Sequence, residues 1–169
     1  RAALQRAGIN ADRATADVID QGFTTLGNQF EALAQRNIMN VDNPLRAEVH
    51  QALAAYERST PPSLRAPIID ELQNDIFNIP NNILTGGQYQ AWRSQIERVR
   101  RGAQQTNPHL ADALSDIRDA LDDAMTRSSS QTDAAAWRQV RGQYRNLLTI
   151  EKAASGAGEN TALGLISPS

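Results

Sequence analysis

Three successive stretches in the last half of the chain place apolar residues at steps of three and four. They are Tyr89, Trp92, Ile96 and Val99, then Leu110, Leu114, Ile117, Leu121 and Met125, then Trp137, Val140, Tyr144 and Leu147. Such steps put every named side chain on one stripe of a helix. Striped helices joined by short polar loops bury their stripes against one another. The expected fold is therefore all-α: an antiparallel helical bundle of about six helices, with the last three (about 88–154) forming a regular three-helix unit.

The earlier part of the chain reads as helices broken by local signals. A short helical turn is expected before Gly8. Ile19, Phe23, Leu26, Phe30 and Leu33 then predict a helix over about 15–37, weakened at Gly22 and Gly27 by roughly 1 kcal/mol each relative to Ala. Asn43 is expected to cap the next helix, with Pro44 in its first turn. That helix presents Leu45, Val49, Leu53 and Tyr56 and ends at Ser59-Thr60-Pro61-Pro62. A third helix is expected over about 63–78 with Ile68, Ile69, Leu72 and Ile76 inward. A loop follows from Asn78 to Gly87, and no segment shows a strand pattern.

In the second half, Thr85 and Gln88 have capping-box spacing, and the helix they open is expected to stop at Gly102. Thr106-Asn107-Pro108 caps the next, to about Arg127. Thr132 or Asp133 caps the last, expected to end near Ala154. The domain reading is an irregular helical part over 1–80, a three-helix bundle over 81–154 and a flexible tail over 155–169. Arg1 at the start and Ser167-Pro168-Ser169 at the end read as cuts within a longer polypeptide.

Composition narrows the chemistry. With 169 residues, 40% hydrophobic and 21% charged, the chain can bury a core. Its net charge of -2 supplies no global attraction to nucleic acid or anionic lipid. The absence of cysteine excludes disulfides, zinc-thiolate sites and thiol catalysis. No apolar run approaches the roughly 18 residues of a membrane span, and no signal peptide is visible. His50 and His109 stand apart from any metal-ligand spacing, and no P-loop, dinucleotide fingerprint or nucleophile elbow occurs. The expectation is no enzyme activity, no cofactor and no metal.

Three constellations remain. Arg138, Arg141, Arg145 and Lys152 follow i, i+3, i+7, i+14 along one helix line and are the candidate phosphate-contacting stripe. The alternative is arginines covering a helix seam with their stems while their charge stays wet. Asp112, Asp116, Asp119 and Asp123 form an acidic helix face, read as solvated. Glu151 falls where the sixth helix's pattern asks for an apolar residue, so it needs a partner or a place beyond the core.

The run Ile117-Arg118-Asp119-Ala120-Leu121-Asp122-Asp123-Ala124-Met125 is followed by Ala136-Trp137-Arg138. Then come Tyr144-Arg145-Asn146-Leu147-Leu148-Thr149-Ile150-Glu151-Lys152-Ala153 and Gly164-Leu165-Ile166-Ser167-Pro168. This succession, over roughly residues 88–169, resembles helical segments of bacteriophage and prophage virion proteins of the internal, DNA-transfer (ejection) and tape-measure-like kinds. The resemblance implies a non-enzymatic structural segment of a long helical chain, located in the virion or the host bacterial cytoplasm. Its partners would be other virion proteins or copies of itself. The residues expected to carry association are Trp92, Trp137, Tyr144, Leu147 and Glu151, since aromatics at helix seams contribute most per residue. The alternatives are a nucleic-acid-binding helical module using the Arg stripe, or a helical accessory domain of a larger phage enzyme.

Overall fold

A computed structural model describes the backbone of residues 2–164 and the side chains of residues 15–154. Among these residues there are six α-helices: α1 (Ala2–Gln35), α2 (Asn43–Ser59), α3 (Pro67–Phe77), α4 (Gly86–Ala103), α5 (Pro108–Ser128) and α6 (Gln131–Gly164). The all-α expectation holds, with one addition. Ile38–Asn40 (β1) and Ile83–Thr85 (β2) pair antiparallel as a two-stranded ribbon, Met39 opposite Leu84. The expectation of no strand is corrected here. Three residues per strand are too few to show alternation, and this ribbon buries one side chain from each, Met39 and Leu84. Asn81 and Asn82 lead into β2 at positive φ, which Asn tolerates better than most residues, and the Asn82 carbonyl accepts from Val41 N at 2.8 Å.

Helix boundaries follow their caps. Thr85 and Gln88 form the predicted capping box, and Asn107 accepts from Leu110 N. Two caps differ from expectation. Asp42, not Asn43, opens α2: its Oδ1 accepts from Leu45 N at 2.9 Å. At α6, Ser130 Oγ accepts from Asp133 N at 3.2 Å. Asp133 lies inside the helix, which begins at Gln131, and its carboxylate accepts from Arg36 (2.9 and 3.2 Å) and Asn37 (3.1 Å). The third helix starts later than expected, at Pro67, after a separate 3-10 turn at Pro62–Leu64. The first is continuous from Ala2, without a break at Gly8, and α6 continues to Gly164, past the expected end near Ala154. Residues 165–169 of the expected tail lie outside the described residues.

The chain forms two compact units, residues 1–30 with 137–169 and residues 31–136. Residues 88–154, read from sequence as one three-helix unit, are shared between them: α4 and α5 belong to the second and α6 from Trp137 onward to the first.

In the second unit, α2 and α4 both pack antiparallel on α5, and α3 leans on α2. The core is Leu45, Val49, Leu53 and Tyr56 of α2, Tyr89 and Ile96 of α4, and Leu114, Ile117, Leu121 and Met125 of α5, all buried. Helix α3 turns in Ile68, Ile69, Leu72 and Ile76 as its spacing predicts. The Tyr56 hydroxyl accepts from Ala66 N at 3.0 Å and so fixes where α3 begins. Asp42 also takes Arg127 of α5 in a two-pronged pair (2.9 and 3.0 Å), tying the start of α2 to the end of α5.

In the first unit, α1 and α6 run antiparallel. Gly22 faces Leu147, Phe23 meets Tyr144 edge-on at 5.8 Å, and Phe30 meets Trp137 at 5.8 Å and Tyr144 at 6.0 Å. Ile19, Leu26 and Phe30 are buried along α1, and Trp137, Val140 and Tyr144 along α6.

Candidate functional site

Of the residues expected to carry association, Trp137 and Tyr144 sit in the ring cluster of the first unit, both buried. Leu147 is half-buried against Gly22, and Glu151 is half-buried one turn on. Trp92 belongs to the second unit and is half-buried. In the basic stripe, Arg138, Arg145 and Lys152 are exposed and Arg141 is half-buried.

The second unit holds a cluster that spacing rules missed. Helix α4 does bury a stripe at steps of three and four, but it is Tyr89, Arg93, Ile96, Arg100 and Ala103, one flank away from Trp92 and Val99. Two arginines thus lie where apolar side chains were expected, and α5 supplies the acid. Asp122 accepts from the Tyr89 hydroxyl and from Arg93 Nε at 3.2 Å, with both Arg93 and Asp122 less than a tenth exposed. One turn along, Glu97 receives Arg100 in a two-pronged pair (3.0 and 3.0 Å) and Arg118 of α5 at 2.9 Å. Arg118 reaches on to Asp119 at 3.1 Å. Burial pushes the Glu97 carboxyl up, but the Arg100 hydrogen bonds and the Arg118 charge outweigh it and hold Glu97 below its ordinary value. Burial also works against the charge of Arg93, and the Asp122 carboxylate reverses that and raises it.

One signal in the sequence could have found this cluster. From Tyr89 the step of four lands on Arg93 and the next seven on Arg100, while α5 offers Arg118 and Asp122 at i, i+4 beside its apolar stripe. Opposite charges at matching intervals on neighbouring helices are as much a packing pattern as leucines are.

The acidic face of α5 is solvated at three of its four positions, while Asp123 is half-buried. Asp112, Asp116 and Asp119 are exposed. Asp116, Asp119 and Asp123 line a groove of about 310 Å³ with Glu48 and Gln51 of α2. Partial burial first, then the neighbouring Asp119 and Asp112, raise the Asp116 carboxyl. Among the described residues no group of His, Asp and Glu is arranged to hold a metal ion, and both histidines are exposed. Among them, too, no helix is long and apolar enough to cross a membrane.

The arrangement as a whole binds helices to one another. Rings join α1 to α6, and hydrogen-bonded charges join α4 to α5 and α2 to α5. Comparisons with models of protein families, with curated proteins and with solved structures find no match to this chain.

Proposed function

We propose that this chain is a non-enzymatic helical scaffold segment of a phage or prophage virion protein, acting by helix–helix association. The observation that carries the association part is where the rings lie. Phe23, Phe30, Trp137 and Tyr144, half of the chain's eight aromatics, meet in one seam between two 34-residue helices. In a chain with so few rings, that concentration supports a molecule whose chemistry is the joining of helices. The virion assignment rests on the resemblance over residues 88–169, in which no catalytic residue of any family maps onto this chain.

The test is the protein content of purified particles. Peptides of this chain recovered from density-purified, nuclease-treated virions at a fixed number per particle support the reading. Their confinement to host lysate, with particles complete without them, overturns it.

A second reading is favoured by one observation. Arg138, Arg145 and Lys152 are exposed along one flank of α6, free to meet a phosphate backbone. It requires binding to duplex DNA that weakens steeply with salt, and the absence of binding at low salt removes it.

A further inference from the structure

We draw no further inference here: the strongest candidate, the acidic groove between α2 and α5 lined by Glu48, Asp116, Asp119 and Asp123, rests on its carboxylates alone, and nothing in the structure shows what they would hold.

Discussion

Gly86, the first residue of α4, lies directly against the backbone of Ala34 near the end of α1. A Cβ at Gly86 would overlap the Ala34 carbonyl oxygen and come within 2.6 Å of Asn37 O. The β1–β2 ribbon brings this about. Two residues separate Ile38 from α1, Thr85 precedes α4, and Ile38 and Thr85 are partners in the ribbon. Gly86→Ala should therefore destabilise the second unit by about 3 kcal/mol, since the obstruction is backbone and cannot rotate away. Gly87→Ala, with open space around it, should change stability by about 1 kcal/mol or less. Urea midpoints of the two variants check the contrast. Equal midpoints would mean the ribbon does not hold α1 and α4 this close.

That contact also marks the limit of what was legible in the sequence. The helices could be read because their signals are local: apolar steps of three and four, Thr85 with Gln88, Asn107 before Pro108. The buried positions of α1, α3, α5 and α6 could be read for the same reason. The ribbon could not, because it is made by residues 45 apart whose pairing depends on Gly86 fitting under another helix. The inward face of α4 was misjudged because Arg93 and Arg100 were counted as solvent residues. They are buried only because Asp122 and Glu97 are there to receive them. The caps at Asp42 and Ser130 were missed because Asn43, Thr132 and Asp133 are residue types equally able to cap, and local spacing does not choose among such neighbours.

The charge cluster between α4 and α5 predicts an order of costs. Asp122→Asn takes the carboxylate away from Arg93 where both groups are less than a tenth exposed, and should cost about 3–5 kcal/mol. Glu97→Gln removes the acid from Arg100 and Arg118, but Arg118 keeps Asp119 and the site is nearer solvent. Its cost should be about 2–3 kcal/mol. Asp75→Asn, at an exposed position of α3 outside the cluster, should lie within about 0.5 kcal/mol of the natural chain. Denaturant titration of the three variants gives the order. A Glu97 variant as costly as the Asp122 variant would contradict the difference in burial.

Stability should fall on acidification in a defined window. Glu97, Asp42 and Asp133 are all held below their ordinary values of 4.5, 3.8 and 3.8. Burial opposes this at Glu97 and Asp42, where arginine partners win; at Asp133 the hydrogen bond from Arg36 is the main cause. A carboxyl held low in the fold takes up its proton first in the unfolded chain. Its stabilisation is complete above the unfolded value and is lost as pH falls through the folded one. The urea midpoint should be flat between about pH 7 and 5 and drop below about pH 4.5. In Glu97→Gln the drop should be shallower. Asp116 has the opposite sign: its carboxyl is raised, so its ionised form weakens the fold near neutral pH. Asp116→Asn should therefore gain a few tenths of a kcal/mol at pH 7, kept small by solvent screening.

Gly22 and Gly27 make a paired test of the α1–α6 seam. Each costs the helix about 1 kcal/mol relative to Ala by intrinsic propensity. A Cβ at Gly27 meets nothing within 4 Å, so Gly27→Ala should recover most of that, about 0.5–1 kcal/mol. A Cβ at Gly22 would stand 2.9 Å from Leu147 Cδ2 and 3.3 Å from Cδ1, so Leu147 must rotate and the gain is offset. Gly22→Ala should be near neutral alone and become stabilising when combined with Leu147→Ala, measured as a double-mutant cycle. A simple sum of the two single effects would show that Gly22 and Leu147 do not touch.

The two tryptophans should separate by burial. Trp137 is fully buried and packs on Phe30 at 5.8 Å, so Trp137→Ala leaves a cavity in the α1–α6 seam and should cost about 3–5 kcal/mol. Trp92 is half-buried on the flank of α4, while Tyr89 and Ile96 fill its inward stripe. Trp92→Ala should cost about 1 kcal/mol, in proportion to the smaller area it takes from water. Fluorescence gives an independent reading, because each variant leaves one tryptophan. The chain with only Trp137 should emit at shorter wavelength and resist acrylamide quenching, and the chain with only Trp92 should be the more readily quenched. Thermal melts of the same two proteins should show the larger loss for Trp137→Ala. Equal quenching would mean that the ring seam between α1 and α6 opens to water in solution.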